Sequence, residues 1–332
     1  MGNEDMGKHE HEAGILQCLG DHYGIVGSLS RLSGENINYL VTADDGQRYV
    51  FKIVVGDMPP AVVAMEYAAI EHAVSNGFGL KMPRIVRNKQ NRINSGIYIR
   101  KNTKNTALLY TYIEGKLLSN ISDILPILAK NVGRVIALFD LAMENFDHPA
   151  AHRSHAWDLA EAGQHESKIK LIDDPVQQDL LAWAFRTWFS GAKPRLSALP
   201  QQFIHGDAND DNILINAGRV TGLLDFADSG FNPTICELAT CLPYLMMERD
   251  NPMEIAAGIV AGYHATRPIS EAEFSVLMPL VCGRLAVTVS IAAERGQIDP
   301  SHPAWFISEQ GAWDLLAFLR TMDAGQGFRH LL

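Results

Sequence analysis

Hydrophobic and polar positions change rhythm near the middle of the chain. Early on, the β-rich runs Ile37–Val41 and Tyr49–Val54 flank TADDG, whose Asp45-Gly46 pair signals a hairpin turn. After Pro59-Pro60, AVVAMEYAAIEHAVSNG carries apolar residues at helical spacing and closes on Asn76-Gly77, a C-cap signal. RIVRN, GIYIR and ALLYTYIEG then read as strands, the last ending in Gly115. Residues 21–112 therefore predict a small β-rich N-lobe with one helix. From Leu117 the helical period takes over, at Ser122–Asn145, Asp174–Ser190, Pro233–Met247, Met253–Thr266, Glu271–Arg295 and Pro303–Thr321. Two interruptions, QFIHGD with ILIN and RVTGLLDF, are too short for helices and predict short strands beside a loop. Residues 113–332 predict a larger, mainly helical C-lobe, and the fold class is α+β.

The first residues, MGNEDMGKHEHE, show no apolar core of a signal peptide, and residues 1–20 are expected to be a flexible tail. Phe274–Ala293 approaches the length of a membrane span. Arg284 near its middle would be costly in lipid, so a buried helix is expected and no membrane partner.

Composition adds little to this and excludes a few classes. With 47% hydrophobic and 20% charged residues over 332 positions, the chain affords a sizeable core. A net charge of −10 disfavours nucleic acid and anionic surfaces and suits a cationic small molecule. Cys18, Cys236, Cys241 and Cys282 lack metal-site or disulfide-framework spacing, which points to a reducing, cytoplasmic setting.

Candidate chemistry gathers in FIHGDANDDNILIN, which sets His205, Gly206, Asp207 and, five residues on, Asn212 between apolar runs. GLLDF places Asp225 at a strand end, and YVFKI places Lys52 in the second hairpin strand, with Glu66 on the helix that follows. These residue types in this order suit phosphoryl transfer, which needs positioning and charge neutralisation more than covalent chemistry. Asp207 would receive or orient the proton of an attacking hydroxyl. Asn212 and Asp225 would offer oxygen ligands to Mg²⁺. Lys52 would hold the phosphates of ATP or GTP, oriented by Glu66. Each residue also has a plain reading, as a turn, an exposed strand position or a surface glutamate. Only the agreement of all five argues for chemistry.

Taken together, IHGDANDDNILI, GLLDFADSG and the ELA that follows resemble the aminoglycoside phosphotransferase and choline kinase-like family, relatives of the protein kinases. Within it, DHYGIVGSLSRLSGENINYLV and LFDLAMENFDHPAAHRSHAWDL are similar to hydroxylysine kinase-like proteins and to kinase domains fused to class III aminotransferases. The resemblance implies a two-lobed protein kinase-like fold and a phosphotransferase with an alcohol acceptor on a small amine-bearing molecule, an amino alcohol or hydroxy amino acid. It implies that Leu32–Asn38, with Ser33, Gly34 and Asn38, covers the phosphates, and that Thr111, Tyr112 and Ile113 join the lobes beside the nucleotide base. Ala227 stands where the family has glycine.

For the acceptor's ammonium, carboxylates and aromatic faces are the natural partners, which singles out Trp157, Asp158 and Asp210. Arg284, if buried, needs an anion, either a substrate carboxylate or a core acid. His205 and Asp228 read as structural. An aminoglycoside, choline or homoserine-type kinase uses the same machinery on a different acceptor, and a catalytically inactive nucleotide-binding scaffold is the rival from another class.

Overall fold

The computed structural model describes residues 3–32, 37–54, 58–100, 103–302, 304–322, 328 and 331. The chain divides into two compact units. One comprises Met1–Ile70 and Met82–Glu114, the other Glu71–Lys81 and Gly115–Leu332.

In the first unit, α1 (Asn3–Cys18) precedes β1 (Gly27–Leu32), β2 (Ile37–Ala43) and β3 (Arg48–Ile53). Helix α2 (Pro60–Ser75) follows, then β4 (Ser95–Arg100) and β5 (Thr103–Thr111). The five strands form one antiparallel sheet in the order β1-β2-β3-β5-β4. Strand alternation sends Tyr39, Val41, Phe51, Ile53, Ala107 and Leu109 to one face. The other face carries Val54, Leu108 and Tyr110, which pack with Val63 of α2 and Ile85.

The expected tail is corrected by α1. Ile15, Cys18 and Leu19 fall at i, i+3 and i+4, and all three are buried against the first sheet face. The charged, His-rich start masks this short apolar stripe, so the unit carries a second helix. A further correction concerns RIVRN, which contributes a single bridge, Ile85 to Tyr110, rather than a strand.

The second unit opens with β6 (Lys116–Leu117), α3 (Pro126–Ala142) and α4 (Pro175–Gly191). The proline at the start of each takes the first helical turn, where its missing N–H costs nothing. This is why α3 begins at Pro126 rather than Ser122. Four short strands follow: β7 (Gln201–Ile204), β8 (Ile213–Asn216), β9 (Arg219–Leu223) and β10 (Gly230–Pro233). They pair as β10-β7 and β6-β8-β9. Helices α5 (Ile235–Met246), α6 (Pro252–His264), α7 (Glu271–Gly296) and α8 (Glu309–Thr321) complete the unit. Ser270 and Glu273 form a reciprocal cap at the start of α7. Helix α7 is long and apolar enough to cross a membrane, yet it is mostly buried among the other helices of its unit.

Candidate active site

The loop from His205 to Asn212 is held at both ends by buried apolar strand residues: Phe203 and Ile204 before it, Ile213, Leu214 and Ile215 after it. Strand β7 is pinned by β10, and β8 by β9. Within the loop, Gly206 takes φ 75°, and a Cβ there would stand 2.8 Å from the Asp228 carbonyl oxygen. Both constraints favour glycine at this position. Asn209 supplies the turn: its Oδ1 accepts from the backbone N–H groups of Asp211 at 2.9 Å and Asn212 at 3.1 Å.

Asp207 is thereby surrounded by donors. Asn212 Nδ2 donates to Oδ2 at 2.8 Å, and Asn209 Nδ2 donates to Oδ1 at 3.1 Å. Arg284 of α7 places Nη2 2.8 Å from Oδ1. The arginine is deeply held, with its side chain 2% exposed against 19% for Asp207. Its Nε donates to the Tyr244 hydroxyl at 3.1 Å and its Nη1 to the Trp157 carbonyl at 3.3 Å. Its guanidinium also lies 4.7 Å from the Trp157 ring centroid and 5.2 Å from that of Tyr244. The anion Arg284 requires is therefore Asp207. Burial raises the Asp207 carboxyl above the ordinary carboxylate range and Asp228 and Asp225 add to the rise, while the Arg284 guanidinium opposes it and favours the anion.

Behind the loop, His205 is fully buried. Its Nε2 donates to the Leu224 carbonyl at 2.9 Å, and its Nδ1 accepts from the Asp207 N–H at 3.3 Å, which fixes one neutral tautomer. Burial pulls its imidazole down to about 4. Glu237 of α5 accepts on Oε2 from the backbone N–H groups of His205 and of Gly206, the latter at 3.2 Å. Burial lifts the Glu237 carboxyl to about 7, with the two N–H groups and Arg284 working against it.

Asp225 lies two residues beyond the end of β9. The Leu224 N–H donates to the Asn212 carbonyl at 2.8 Å, so backbone pairing brings Asn212 and Asp225 to adjacent positions. Asp225 adopts φ 55°, a left-handed conformation that few non-glycine residues take. Arg153 secures the segment after it, donating to the carbonyls of Ala227 at 2.5 Å and Ser229 at 2.8 Å. Asn212 spends its amide nitrogen on Asp207, and among the described residues its Oδ1 meets no donor. One carboxamide oxygen beside one carboxylate suits a hard cation that keeps most of its water, such as Mg²⁺. No cluster of three or more His, Cys, Asp or Glu side chains fit for a metal exists among the described residues.

The remaining expected site residues fall in two groups. In the second unit, Asp158 is buried and caps the turn that follows it, accepting from the Ala160 N–H at 3.1 Å. Asp228 Oδ1 lies 3.7 Å from His155 Nδ1. Asp210 belongs to a different neighbourhood: burial and Asp211 raise its carboxyl to about 6, while Arg249 and Glu248 are its other charged neighbours.

In the first unit, Lys52 and Glu66 are buried. Lys52 pairs with Leu108 across β3 and β5, on the sheet face that also bears Tyr110. The Tyr110 hydroxyl donates to Glu66 Oε1 at 2.9 Å, so lysine and glutamate serve the same face. Asn38 pairs with Lys52 across β2 and β3. Thr111 Oγ1 accepts from the Arg84 N–H at 2.9 Å, the Tyr112 ring lies 4.4 Å from the Arg48 guanidinium, and Ile113 is buried. Ser33 and Gly34 lie outside the described residues.

Sequence reasoning assigned no role to Glu237, Tyr244 or Arg153. The first two had a signal, as an acid and a phenol within a largely apolar helix, ICELATCLPYLM.

Residues 28–273 match the phosphotransferase enzyme family, APH. The chain belongs to this family. It is 26% identical over 304 residues to a hydroxylysine kinase of Mus musculus, covering 86% of this chain and 80% of that protein. It is 25% identical to a homoserine kinase of Gluconobacter oxydans, over 90% of this chain and 89% of that one. Among solved structures, a microcompartment-associated aminopropanol kinase superposes with a TM-score of 0.74 at 18% identity, covering 96% of this chain and 99% of the other. The fold is therefore that of the protein kinase-like phosphotransferases, and the protein is a phosphotransferase.

Proposed function

We propose that the protein transfers the γ-phosphoryl group of ATP or GTP to a hydroxyl of a small amine-bearing acceptor, an amino alcohol or hydroxy amino acid of the hydroxylysine type. The observation that carries this reading is the setting of Asp207: a carboxylate with one-fifth of its side chain open, steered by Asn209, Asn212 and Arg284. A carboxylate so fixed can orient a hydroxyl and take its proton as the oxygen attacks phosphorus. Relatives named for hydroxylysine and homoserine, and a fold neighbour named for aminopropanol, support a small hydroxyl-bearing amine as acceptor. Neighbours solved with AMP-PNP and with GDP support a nucleoside triphosphate as donor.

Asn212 and Asp225 would hold Mg²⁺, which would supply positive charge to the phosphate oxygens. Lys52 would bind the phosphates, with Glu66 orienting it and Asn38 nearby. Thr111, Tyr112 and Ile113 would flank the base. The four thiols, buried and unpaired, support action in a reducing cytoplasm.

A screen for nucleoside diphosphate release tests the proposal. It would use ATP and GTP with amino alcohols, hydroxylysine, homoserine, choline and aminoglycosides. Release with one small hydroxy-amine is the expected result. Nucleotide binding without any phosphorylated product would favour a scaffold.

A further inference from the structure

A small polar hollow lies beside the Asp207 loop. His155, Trp157, Asp158, Asp228, Asn232 and Thr240 wall it, and Gly206, the residue before Asp207, forms part of its lining. Its volume is about 10 Å³, the room of one water-sized group. All of these residues belong to the second unit.

The wall offers acceptors and a threonine side chain. Asp158 is 9% exposed; its Oδ1 accepts from the Ala160 N–H, the Asn232 side chain also donates to its carboxylate, and burial raises the carboxyl against these two bonds. His155 Nδ1 is buried and makes no hydrogen bond among the described residues; its nearest acid atom, Asp228 Oδ1, is 3.7 Å away. Burial and the neighbouring Arg153 hold the His155 imidazole down to about 4, so at neutral pH it offers a lone pair and no charge. Thr240 is 1% exposed and lines the hollow from α5. A cavity of this size with these walls wants a compact group with several N–H or O–H donors and a positive charge. The cations nearby, Arg153 and Arg284, are already engaged with backbone carbonyls and with Asp207.

We propose that this hollow seats the primary ammonium of the acceptor, with Asp158 as its counter-charge, so that the enzyme selects small primary hydroxy-amines and rejects their N-trimethyl counterparts. The inference rests on the phosphotransfer reading above. The size argument is direct: an –NH₃⁺ group occupies about the space of a water, whereas three added methyl groups do not fit. Trp157 ties the hollow to the chemistry, because its carbonyl holds the same Arg284 that holds Asp207.

The test compares 2-aminoethanol, 1-amino-2-propanol, homoserine and hydroxylysine with choline and 1,2-propanediol, on wild type, Asp158→Asn and Thr240→Val. Diphosphate release gives kcat and KM, and tryptophan fluorescence gives binding without turnover. The expected result is turnover of a primary amine and none of choline. Asp158→Asn should raise KM for the amine about 10- to 100-fold, the worth of one charge-assisted hydrogen bond, while kcat moves little. Thr240→Val, which puts a methyl group on the wall, should act in the same direction, and it carries the test if Asp158→Asn fails to fold.

Equal use of choline, or an unchanged KM in both variants, would overturn the subsite and leave a hollow that holds only water. If wild type turns over nothing but binds the amines, and Asp158→Asn loses that binding, the subsite stands and the phosphotransfer reading falls. Absence of amine binding together with absence of turnover would overturn both.

Discussion

Arg284 Nη2 and Asp207 Oδ1 are 2.8 Å apart, and the arginine of this pair is the buried member. A guanidinium this far from water cannot be a bystander. Its charge has to be matched, and the group that matches it is the carboxylate proposed to do the chemistry. Arg284→Ala is therefore expected to lower both stability and turnover. The stability loss should sit near the lower end of the range for broken buried pairs, about 3 kcal/mol, because Asp207 keeps solvent contact. Urea unfolding and steady-state kinetics on the same preparation check this. Arg284→Lys retains the charge but cannot also reach Tyr244 and Trp157, so it should recover part of the stability and little of the rate.

Gly206→Ala is expected to disturb the loop. The position has a positive φ, and the new Cβ would press on the Asp228 carbonyl at 2.8 Å. The two effects together should cost about 1–3 kcal/mol. The turnover of the folded fraction should fall as Asp207 is displaced, measured by thermal unfolding beside initial rates.

Glu237 gives a pH signature with a definite sign. Its folded carboxyl lies near 7 against an ordinary 4.5, so between those values the native state holds a proton that the unfolded state has lost. Its contribution to stability is complete below about 4.5 and declines as pH rises through 7. Glu237→Gln keeps an acceptor for the His205 and Gly206 N–H groups and removes the titration. The wild-type-minus-variant stability difference should therefore fall between pH 5 and pH 8. Denaturant titrations at both values measure it, and a difference that rises with pH would contradict the assignment.

Lys52→Met tests the proposed nucleotide role. A buried lysine on the Glu66 face should be replaceable by methionine with limited damage to packing. The KM for the nucleotide should rise and turnover should fall, while acceptor binding in the second unit, read by tryptophan fluorescence, stays unchanged.

Much of this was legible in the sequence, for identifiable reasons. The Asp45-Gly46 hairpin, the helical run ending at Gly77 and the short strands around Asp207 each carry a local signal of turn chemistry or period. Helix α1 did not stand out because the apolar residues buried at its end, Ile15 and Cys18, with Leu19 just beyond it, follow a polar start. Residues 84–88 have strand-like composition, yet they make only one bridge. In the site, Asp207, Asn212 and Asp225 were readable from spacing. The need of Arg284 for an anion was also readable, but its partner lies 77 positions away, and only the packing of α7 reveals that the partner is Asp207. Glu237 likewise acts through backbone N–H groups 31 and 32 positions distant, contacts that leave no mark on local sequence.

The most direct measurement is nucleotide-dependent phosphorylation of a small hydroxy-amine by wild type and Asp207→Asn, followed by product mass and diphosphate release. The variant keeps the shape of the side chain and loses the carboxylate. The account predicts a folded variant with a lowered unfolding midpoint, because Arg284 loses its counter-charge, and a turnover loss of about 10²- to 10⁴-fold, the range for removing a general base. Turnover near the wild-type rate in a folded Asp207→Asn protein would contradict it.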